Sequence, residues 1–333
     1  MPCYHPISAW QLLNVRTANG KPTLSFKNPF AKPTKDRVAI QVPCGQCIGC
    51  RLERSRQWAI RCVHEAKSHE DNCFITLTYD NKHLPVNRSL DKSHFQKFMK
   101  RFRKFLNENI WVPKQKKFMR RHEVTRYLAP KVRFFHCGEY GEKNSRPHYH
   151  ACVFGYDFPD KELYTVRDGV KLYKSETLKK IWNMGFVTVG AVTFESAAYV
   201  ARYVTKKITG KAAEKHYDRS VNGEGFVLLR KLTPEYVTMS RRGGIGEKWI
   251  EEYEDDVYPA DEIVLRGKKM RPPRYYDKKF AVDNVDCMDK IKSKRKAKAL
   301  ELAADNTAAR LKAKETCKLA SFKLLKRGLE NEV

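Results

Sequence analysis

The sequence predicts an α+β protein, because segments with the composition of strands alternate with segments that have the period of amphipathic helices. Residues 74–79 are rich in β-branched and aromatic side chains, which is typical of a strand. Apolar side chains recur every three or four positions across residues 93–107, which predicts a helix with one buried face. Two further predicted strands, 132–139 and 149–154, flank a short polar loop and suit an antiparallel hairpin.

The rest of the chain is less regular. Six prolines punctuate residues 1–43, which predicts an irregular N-terminal segment. Residues 111–130 predict an exposed basic excursion, and the chain from Met288 onward predicts one long basic helix. Further helices are expected at 51–67, 175–184 and 196–208, with a strand at 186–194. The predicted parts are an N-terminal Cys-rich segment with its helix (1–70), a core (71–210), an accessory part of that core (211–286) and a basic helical tail (287–333).

Charge narrows the classes of function. The 333 residues carry a formal net charge of +28, which favours a polyanionic partner, above all nucleic acid. No apolar run approaches the roughly 20 residues of a membrane-spanning helix. The first residues lack the pattern of a secretion signal, so we expect the protein in a cytoplasm, with its ten cysteines reduced or bound to metal. The Walker A phosphate-binding motif is absent, so any unwinding of duplex DNA requires a separate helicase.

His148 and His150 are the first candidate functional residues. Side chains alternate across a strand, so two histidines two positions apart project from one face and can share a metal ion. If the predicted hairpin is centred on the loop between its strands, Glu139 lies directly opposite His148 and joins that face. Two nitrogens and a carboxylate suit Mg²⁺ or Mn²⁺ when phosphate oxygens of a substrate complete the ligand shell. The alternative is a pair of structural histidines at a strand edge.

A predicted helix carries the second candidate set, Tyr199 and Tyr203. These residues are four positions apart, so their side chains stack on one helical face with Cβ atoms about 5–6 Å apart. The pKa of a tyrosine hydroxyl is about 10, so a nucleophilic tyrosine needs a neighbouring cation that favours the phenolate. Lys206 and Lys207 continue the same face one turn later. Taken alone, the pair suits two tyrosines packed in a core equally well.

The order of these segments resembles one family of nucleases. The strand FITLTYD (74–80), the segment RPHYH (146–150) and the pattern Y-x-x-x-Y-x-x-K (199–206) are similar to the three motifs of HUH endonucleases. The version with two tyrosines resembles the replication initiators of microviruses, which are small phages with circular single-stranded DNA. The segments 43–47 and 137–141 look most like the gokushovirus branch of that group.

The resemblance implies a central antiparallel sheet with flanking helices and with the histidine strand in its middle. It also implies rolling-circle replication, in which one strand is nicked at an origin through a 5′-phosphotyrosine link and later religated. Single-stranded origin DNA, a host helicase and a host polymerase are the implied partners, in the cytoplasm of the host cell. The residues that match the implied roles are Glu139, His148 and His150 for the metal, Tyr199 and Tyr203 as nucleophiles, and Lys206 or Lys207 as their cationic neighbour.

Cys44, Cys47 and Cys50 form a second candidate metal site. Three thiols at two-residue gaps, with glycines that let the backbone turn tightly, can surround one ion. A tetrahedral Zn²⁺ needs a fourth ligand. The candidates for that ligand are Cys3, His5 and Cys62. We favour Cys3, because the bond would anchor the N-terminal segment. An iron–sulfur cluster and reduced thiols packed in a small core are the alternatives.

Basic residues interleaved with aromatic residues suit single-stranded DNA, whose phosphates are neutralised and whose bases stack on rings. The expected DNA contacts are Arg146, Arg202, Lys207, Arg241 and Arg242. The last two precede a glycine-rich turn, 243–246, whose backbone amides suit a phosphate. The basic tail is expected to bind nucleic acid without sequence preference, or to bind an acidic partner. For each patch alone, a solvated face is the alternative.

Two other functions remain open from the sequence. A tyrosine transposase or plasmid relaxase uses the same chemistry in a different biological setting. A noncatalytic, zinc-containing nucleic-acid-binding or packaging protein needs neither a nick nor a covalent adduct. Formation of a protein–DNA adduct that survives denaturation separates both enzymes from the noncatalytic protein.

Overall fold

A computed structural model describes residues 3–17, 22–28, 34–85, 87–124, 128–141, 144–167, 169–206, 211–223 and 226–324. For residues 203–206, 211–212, 219–223 and 226–230 it describes the backbone alone. The chain divides into two compact units. The first comprises Met1–Arg54 and Asp289–Leu325, and the second comprises Ser55–Met288 and Lys326–Val333.

The regular elements are given in chain order. The strands are β1 (Ile7–Arg16), β2 (Pro22–Ser25), β3 (Arg37–Val42), β4 (Asn72–Thr78), β5 (Asn109–Val112), β6 (Lys117–Arg120), β7 (Arg133–Tyr140), β8 (Pro147–Phe154), β9 (Glu162–Arg167), β10 (Val170–Lys174), β11 (Val187–Gly190), β12 (Asp218–Gly223), β13 (Phe226–Lys231), β14 (Tyr236–Met239), β15 (Ile263–Leu265) and β16 (Lys268–Met270). The α-helices are α1 (Ile48–Lys67), α2 (Lys92–Glu108), α3 (Arg121–Val124), α4 (Glu176–Trp182), α5 (Phe194–Lys206), α6 (Lys211–Tyr217), α7 (Glu247–Val257), α8 (Arg274–Asp283), α9 (Val285–Glu301) and α10 (Ala308–Lys323).

A seven-stranded sheet forms the centre of the second unit, in the order β14-β7-β8-β4-β11-β10-β9. Every neighbouring pair of strands is antiparallel. The histidine strand β8 is an interior strand, and β4 occupies the central position. The predicted α+β class and its large antiparallel sheet are therefore confirmed.

Helices cover both faces of this sheet, because alternate side chains of each strand point to opposite faces. One face packs on α2 and α4 through a core that includes Ile75 and Tyr149. The other face packs on α1 and α5 through a core that includes Phe74, Cys152 and Val200. The strands β4 and β8 contribute to both cores, so their positions in the sheet are held from two sides.

The first unit contains a three-stranded sheet where the sequence predicts an irregular segment. Its strands pair in the order β2-β1-β3. Three of the six prolines lie in the described residues, and each is at a strand end rather than inside a strand: Pro6 precedes β1, Pro22 begins β2 and Pro43 follows β3. Proline has no amide hydrogen and is tolerated at such positions. The interpretation of these prolines as breaks throughout the segment was therefore wrong.

Residues 109–120 form a small hairpin of β5 and β6 in the region where the sequence predicts an exposed basic excursion. The rings of Trp111 and Phe118 lie 5.1 Å apart between centroids, and Phe105 of α2 lies 5.0 Å from Phe118. These aromatic contacts attach the hairpin to α2. Basic residues surround these aromatic residues in the sequence, so the sequence pattern alone does not predict the contacts.

The basic tail consists of α9 and α10 rather than the single long helix that the sequence predicts. The side chain of Thr307 accepts a hydrogen bond from the backbone amide of Arg310, so Thr307 begins a new helix as its N-cap. Asp305 forms ion pairs with Arg310 and Lys314 and stabilises the same break. In the described part of the chain, none of the helices combines the length and the apolar composition that crossing a membrane demands.

Gly185, in the loop between α4 and β11, provides a test of this architecture. Its φ is +148°, and a Cβ atom there would lie 2.4 Å from the backbone nitrogen of Asp80 and 2.5 Å from the carbonyl oxygen of Thr78. Both are backbone atoms at the end of the central strand, and moving them would cost free energy because the strand is held in the sheet. We predict that Gly185→Ala lowers the free energy of unfolding in urea by about 3 kcal/mol or more.

Gly169→Ala is the matched control for this substitution. Its φ is +79°, but no described atom lies within 4 Å of the added Cβ. The control is therefore expected to cost about 1 kcal/mol from backbone strain alone. Equal losses in the two variants would show that the loop does not approach β4 as closely as described.

Candidate active site

The pairing of β7, β8 and β4 positions the candidate active site. Glu139 of β7 lies directly opposite His148 of β8, as the hairpin hypothesis requires. On the other side of β8, Thr76 and Thr78 of β4 lie opposite His150 and His148. Directly opposed residues share a face of the sheet. All five side chains therefore point towards the face that packs on α1 and α5.

The carboxylate of Glu139 is the point at which the contacts of this site meet. Nε2 of His150 lies 2.7 Å from Oε1 of Glu139, and the hydroxyl of Tyr199 donates to the same oxygen at 3.2 Å. The hydroxyl of Thr76 lies 3.0 Å from Nδ1 of His150. Both ring nitrogens of His150 are thus engaged, which fixes the orientation of its ring. Glu139 and His150 are 2% and 1% exposed, so these contacts lie in a low-dielectric environment.

Tyr199 reaches this site from α5. Its ring stands edge-on to the ring of His150, with centroids 5.1 Å apart, and edge-on to Phe74 at 6.4 Å. The guanidinium carbon of Arg202 lies 5.8 Å from the centroid of the Tyr199 ring. Tyr199 is 4% exposed. The sequence predicts a hydroxyl at the margin of the helix, and the structure encloses it more fully because this face of α5 packs directly on the sheet.

The rest of the predicted tyrosine motif lies at the end of α5. Tyr203 and Lys206 belong to that helix, but their side chains are outside the described part of the structure. Lys207 lies outside the described residues altogether. Among the motif residues Tyr199, Tyr203 and Lys206, the structure therefore describes side-chain contacts for Tyr199 alone.

His148 lies near the start of β8, beside the other site residues. Its Nδ1 is buried and has no hydrogen-bond partner among the described residues. Burial, with His150 beside it, lowers the pKa of His148, so its ring is neutral at pH 7. A neutral ring with an unpaired nitrogen is the form that binds a metal ion.

The donor set of Glu139, His148 and His150 suits a hard divalent ion, although its ligand atoms are not gathered around one point. Adjacent ligands of an octahedral Mg²⁺ lie about 3 Å apart, and the 2.7 Å between Glu139 and His150 is close to that spacing. The ring centroids of His148 and His150 are 6.4 Å apart. Two imidazoles at adjacent positions of one ion have centroids about 5 Å apart, so His148 must move closer to share the ion.

The cysteines of the first unit are gathered more closely than the histidine site. The sulfur atoms of Cys3, Cys44, Cys47 and Cys50 all lie within 4.8 Å of one another, and this group is able to hold a metal ion. The backbone amides of Cys44 and Tyr4 donate to the sulfurs of Cys3 and Cys47, each at 3.3 Å. Burial raises the pKa of Cys47, but hydrogen bonds from Tyr4 and the neighbouring cysteines outweigh it and lower the pKa to about 7.

Cys3 is thus the fourth member of the cluster, as the sequence favours. His5 has another partner, because its Nε2 lies 2.6 Å from the carboxylate of Glu315. Cys62 belongs to the second unit, where it is fully buried. The cluster therefore joins the N-terminal residues to the start of α1 within the first unit.

Several known proteins are similar to this chain in sequence. The family described as Replication-associated protein ORF2/G2P matches residues 72–208, from the start of β4 to just beyond α5. Over 305 residues the chain is 32% identical to Replication-associated protein VP4 of Bdellovibrio phage phiMH2K, covering 91% of this chain and 84% of that protein. The chain belongs to the family of phage replication-associated proteins.

Two further relatives support the assignment. Replication-associated protein ORF2 of Spiroplasma virus 4 is 34% identical over 270 residues, which are 78% of this chain and 74% of that protein. Replication-associated protein ORF4 of Chlamydia phage 1 is 36% identical over 245 residues, which are 72% of this chain and 53% of that protein. No solved structure shows significant similarity to the chain. The resemblance inferred from the order of the motifs is confirmed at the level of this family.

The arginines predicted to contact DNA in this replication-associated protein occupy two regions. Arg146 lies beside the histidine strand and Arg202 beside Tyr199. Arg241 and Arg242 are exposed in the loop that follows β14. The first region adjoins the candidate site, and the second lies at the edge strand of the sheet.

Two backbone amides of the glycine-rich turn 243–246 already donate hydrogen bonds within the protein. The amide of Gly244 donates to Glu247 and the amide of Gly246 to Glu65, each at 2.6 Å. Hydrogen bonds from His69, Gly246 and Arg133 outweigh the effect of burial and lower the pKa of Glu65, so this acceptor is ionised at pH 7. Because carboxylates already accept hydrogen bonds from two of the four amides of this turn, it offers fewer donors to a phosphate than the sequence predicts.

Thr76 is the site residue that the sequence reasoning missed. Its hydroxyl contacts Nδ1 of His150 from the neighbouring strand, and Thr76 is buried. The signal was present, since Thr76 and Thr78 alternate with apolar residues in 74–79. Only the pairing of β4 with β8 shows that Thr76 faces His150 rather than the opposite core.

The contact between Tyr199 and Glu139 is measurable through stability. Tyr199→Phe keeps the ring packing and removes one hydrogen bond to a buried carboxylate, so we predict a loss of about 2 kcal/mol in unfolding free energy. Tyr164→Phe is the control, because Tyr164 is 46% exposed and such a substitution changes stability by about 0.5 kcal/mol or less. Urea denaturation that shows no difference between the two variants would mean that the Tyr199 contact is absent in solution.

Proposed function

We propose that this replication-associated protein initiates rolling-circle replication of a small circular single-stranded phage genome by nicking one DNA strand. The observation that carries the proposal is the hydrogen bond from the hydroxyl of Tyr199 to Glu139, beside His150, in a chain of this family. A tyrosine hydroxyl next to two histidines and a carboxylate provides a nucleophile and a metal-binding set. With this function we assign the central sheet to the HUH-endonuclease type.

In the proposed reaction, the hydroxyl oxygen of Tyr199 or Tyr203 attacks the phosphorus of one phosphodiester. A bond forms between the tyrosine oxygen and phosphorus, and the bond from phosphorus to the 3′-oxygen breaks. The phenol proton of Tyr199 passes to Oε1 of Glu139, which already accepts its hydrogen bond, whereas that of Tyr203 passes to solvent. The 3′-oxygen takes a proton from solvent. The free 3′-hydroxyl primes synthesis, and the ester allows later resealing without ATP.

The metal proposed for this site is Mg²⁺ or Mn²⁺, bound by Glu139, His148 and His150. It would withdraw charge from the phosphate under attack. Thr76 holds Nδ1 of His150, so that Nε2 of the same ring points at Glu139. Lys206 is the proposed cation that favours the phenolate.

We assign the nuclease to the core 71–210, with 211–286 as its accessory part. The segment 1–70 provides the cysteine cluster, and the tail 287–333 provides a basic surface for nucleic acid. The DNA contacts proposed for the core are Arg146, Arg202, Lys207, Arg241 and Arg242. A host helicase and a host polymerase supply unwinding and synthesis, in the cytoplasm of the host cell.

A noncatalytic nucleic-acid-binding protein is the second candidate, and the enclosure of Tyr199 is the observation that favours it. A side chain that is 4% exposed meets a phosphate only if DNA or the end of α5 shifts. Binding of single-stranded DNA with no covalent adduct under any metal condition would make this second candidate the better account.

The tyrosines are tested with origin single-stranded DNA, Mn²⁺ and a denaturing gel that reveals the covalent adduct. Tyr199 and Tyr203 share one helical face, so either hydroxyl is able to make a first cut. We predict that Tyr199→Phe and Tyr203→Phe each retain some adduct, whereas the double variant forms none. Each single variant should also release few closed circles in a replication assay, because the full cycle needs a second nucleophile.

Phenylalanine preserves the ring packing, so lost activity is not attributable to a cavity. Tyr253→Phe, a change at a surface helix, is the control and should match the native chain. An adduct at native yield in the double variant would show that other residues are the nucleophiles.

The metal site is tested with His148→Ala. Loss of one ligand should lower the nicking rate about 100-fold or more and weaken Mn²⁺ binding measured by calorimetry, while affinity for single-stranded DNA changes little. His122→Ala is the control, since its side chain is 79% exposed on α3. Nicking at the native rate by the His148 variant would exclude the proposed ligand set.

We further propose that Cys3, Cys44, Cys47 and Cys50 hold one structural Zn²⁺. The amide-to-sulfur hydrogen bonds described above stabilise thiolates, which are the species that bind zinc. Elemental analysis of the purified chain should find about one zinc per chain, as expected when metal binding is coupled to folding.

Cys44→Ser should lose this zinc and lower the unfolding temperature, whereas Cys317→Ser, at an exposed cysteine of the same unit, should keep it. Folded, active protein that contains neither zinc nor iron would exclude a metal at this cluster. Iron in place of zinc would instead favour the iron–sulfur alternative.

A further inference from the structure

A cavity of about 880 Å³ opens beside the candidate active site, and the nicking reaction described above does not use it. It lies between the end of β4, the segment before β8, and α4 with the loop that follows. We call it the nucleotide pocket, and the residues of its wall that matter here are Asn81, Arg146, Lys179, Lys180, Asn183 and Phe186. Its volume is in the range of about 300–1,000 Å³ that is typical of ligand sites.

Thr78 connects the nucleotide pocket to the site. It contributes to the wall of the pocket and lies directly opposite His148 in the β4–β8 pair. Arg146, which also lines the pocket, is two residues before His148 in the chain. Thr78 and Arg146 thus link the wall of the pocket to the end of β8 that carries His148.

Arg146 is fixed in a position that suits a phosphate. Its guanidinium donates to the side-chain oxygen of Asn81 at 2.8 Å and to the carbonyl oxygen of Tyr79 at 3.0 Å. A guanidinium has five N–H donors in one plane. The two bonds orient that plane, and the remaining donors are available to a phosphate at little further cost in entropy.

The carboxylates of the pocket are already engaged, which leaves its charge positive. Asp80 contacts His83 at 2.8 Å, and Glu176 lies 3.5 Å from Lys179. Lys180 is exposed, and no described carboxylate lies within ion-pair distance of it. Lys180 and Arg146 together therefore offer two cations to the phosphates of a strand.

Phe186 supplies the aromatic surface that a base requires. Its ring is half-buried, with Tyr164 at 5.5 Å between centroids and the ammonium of Lys174 at 5.3 Å. Bases stack on such rings with little dependence on sequence. Asn183, which ends α4 in a left-handed conformation, is exposed and offers both a donor and an acceptor to the edge of a base.

We propose that the nucleotide pocket binds one unstacked nucleotide of the single-stranded DNA, with its phosphate on Arg146 and Lys180 and its base on Phe186. This assignment rests on the proposed function for the identity of the strand. The pocket residues take no part in the attack of the tyrosine. A nucleotide held here determines which phosphodiester reaches Tyr199, so the pocket sets the position of the cut along the strand.

The test is photochemical crosslinking of the full chain to an oligonucleotide of 5-iododeoxyuridine, without added Mg²⁺ or Mn²⁺ so that no metal-dependent cut occurs. Peptide mass spectrometry should place crosslinks on the segment that contains Phe186. Phe186→Leu keeps an apolar side chain and removes the ring, so it should lose these crosslinks, whereas Phe186→Tyr should retain them. Lys180→Ala should reduce the slope of log affinity against log salt by about 0.7, the value for one phosphate contact on a single strand.

Lys278→Ala, an exposed lysine of α8, is the control and should leave crosslinks on Phe186 in place. Crosslinks that lie elsewhere in folded protein, together with an unchanged salt slope in the Lys180 variant, would overturn the proposal. So would crosslinks to an RNA strand or binding of free deoxynucleotides without crosslinks to DNA. Crosslinking needs no nick. Crosslinks on Phe186 without any tyrosine adduct would therefore support the pocket and exclude only the proposed nuclease activity.

Discussion

The register of β8 against β7 and β4 is the constraint on which the candidate site depends. It commits Glu139, His148, His150 and Thr76 to one face of the sheet. A slip of one residue would turn Glu139 into the opposite core and separate it from both His150 and Tyr199. The slip is opposed by the strands themselves, because each contributes alternate side chains to two separate cores. The chemistry of the site is thus secured by packing that takes no part in it.

Local signals explain what the sequence predicts well. The histidine strand, the neighbouring strand and the loop between them are adjacent in the chain, so a short hairpin sets the pairing of Glu139 with His148. The period of α5 and the spacing of the cysteines are equally local. The position of Cys3 is not a local signal, because Cys3 meets Cys44 across 41 positions of the chain.

Long-range contacts explain what the sequence does not predict. The amide of Gly246 donates to Glu65, which is 181 positions away in the chain, so this donor of the glycine-rich turn is already engaged. The nucleotide pocket brings residues of β4, α4 and the β8 segment together from separate parts of the chain. The enclosure of Tyr199 similarly depends on α5 packing against Phe74 and His150. No periodicity within a segment carries this information.

In the proposed reaction, a tyrosine of α5 becomes covalently linked to DNA. Arg202 lies between Tyr199 and Tyr203, so trypsin separates the two residues into different peptides. Mass spectrometry of the tryptic digest after reaction with origin DNA and nuclease trimming therefore identifies the linked residue directly. We expect a nucleotide phosphate on the peptide of Tyr199, on that of Tyr203, or on both in separate molecules. A nucleotide on any other residue, or none on either peptide in protein that has cut DNA, would contradict the proposed reaction.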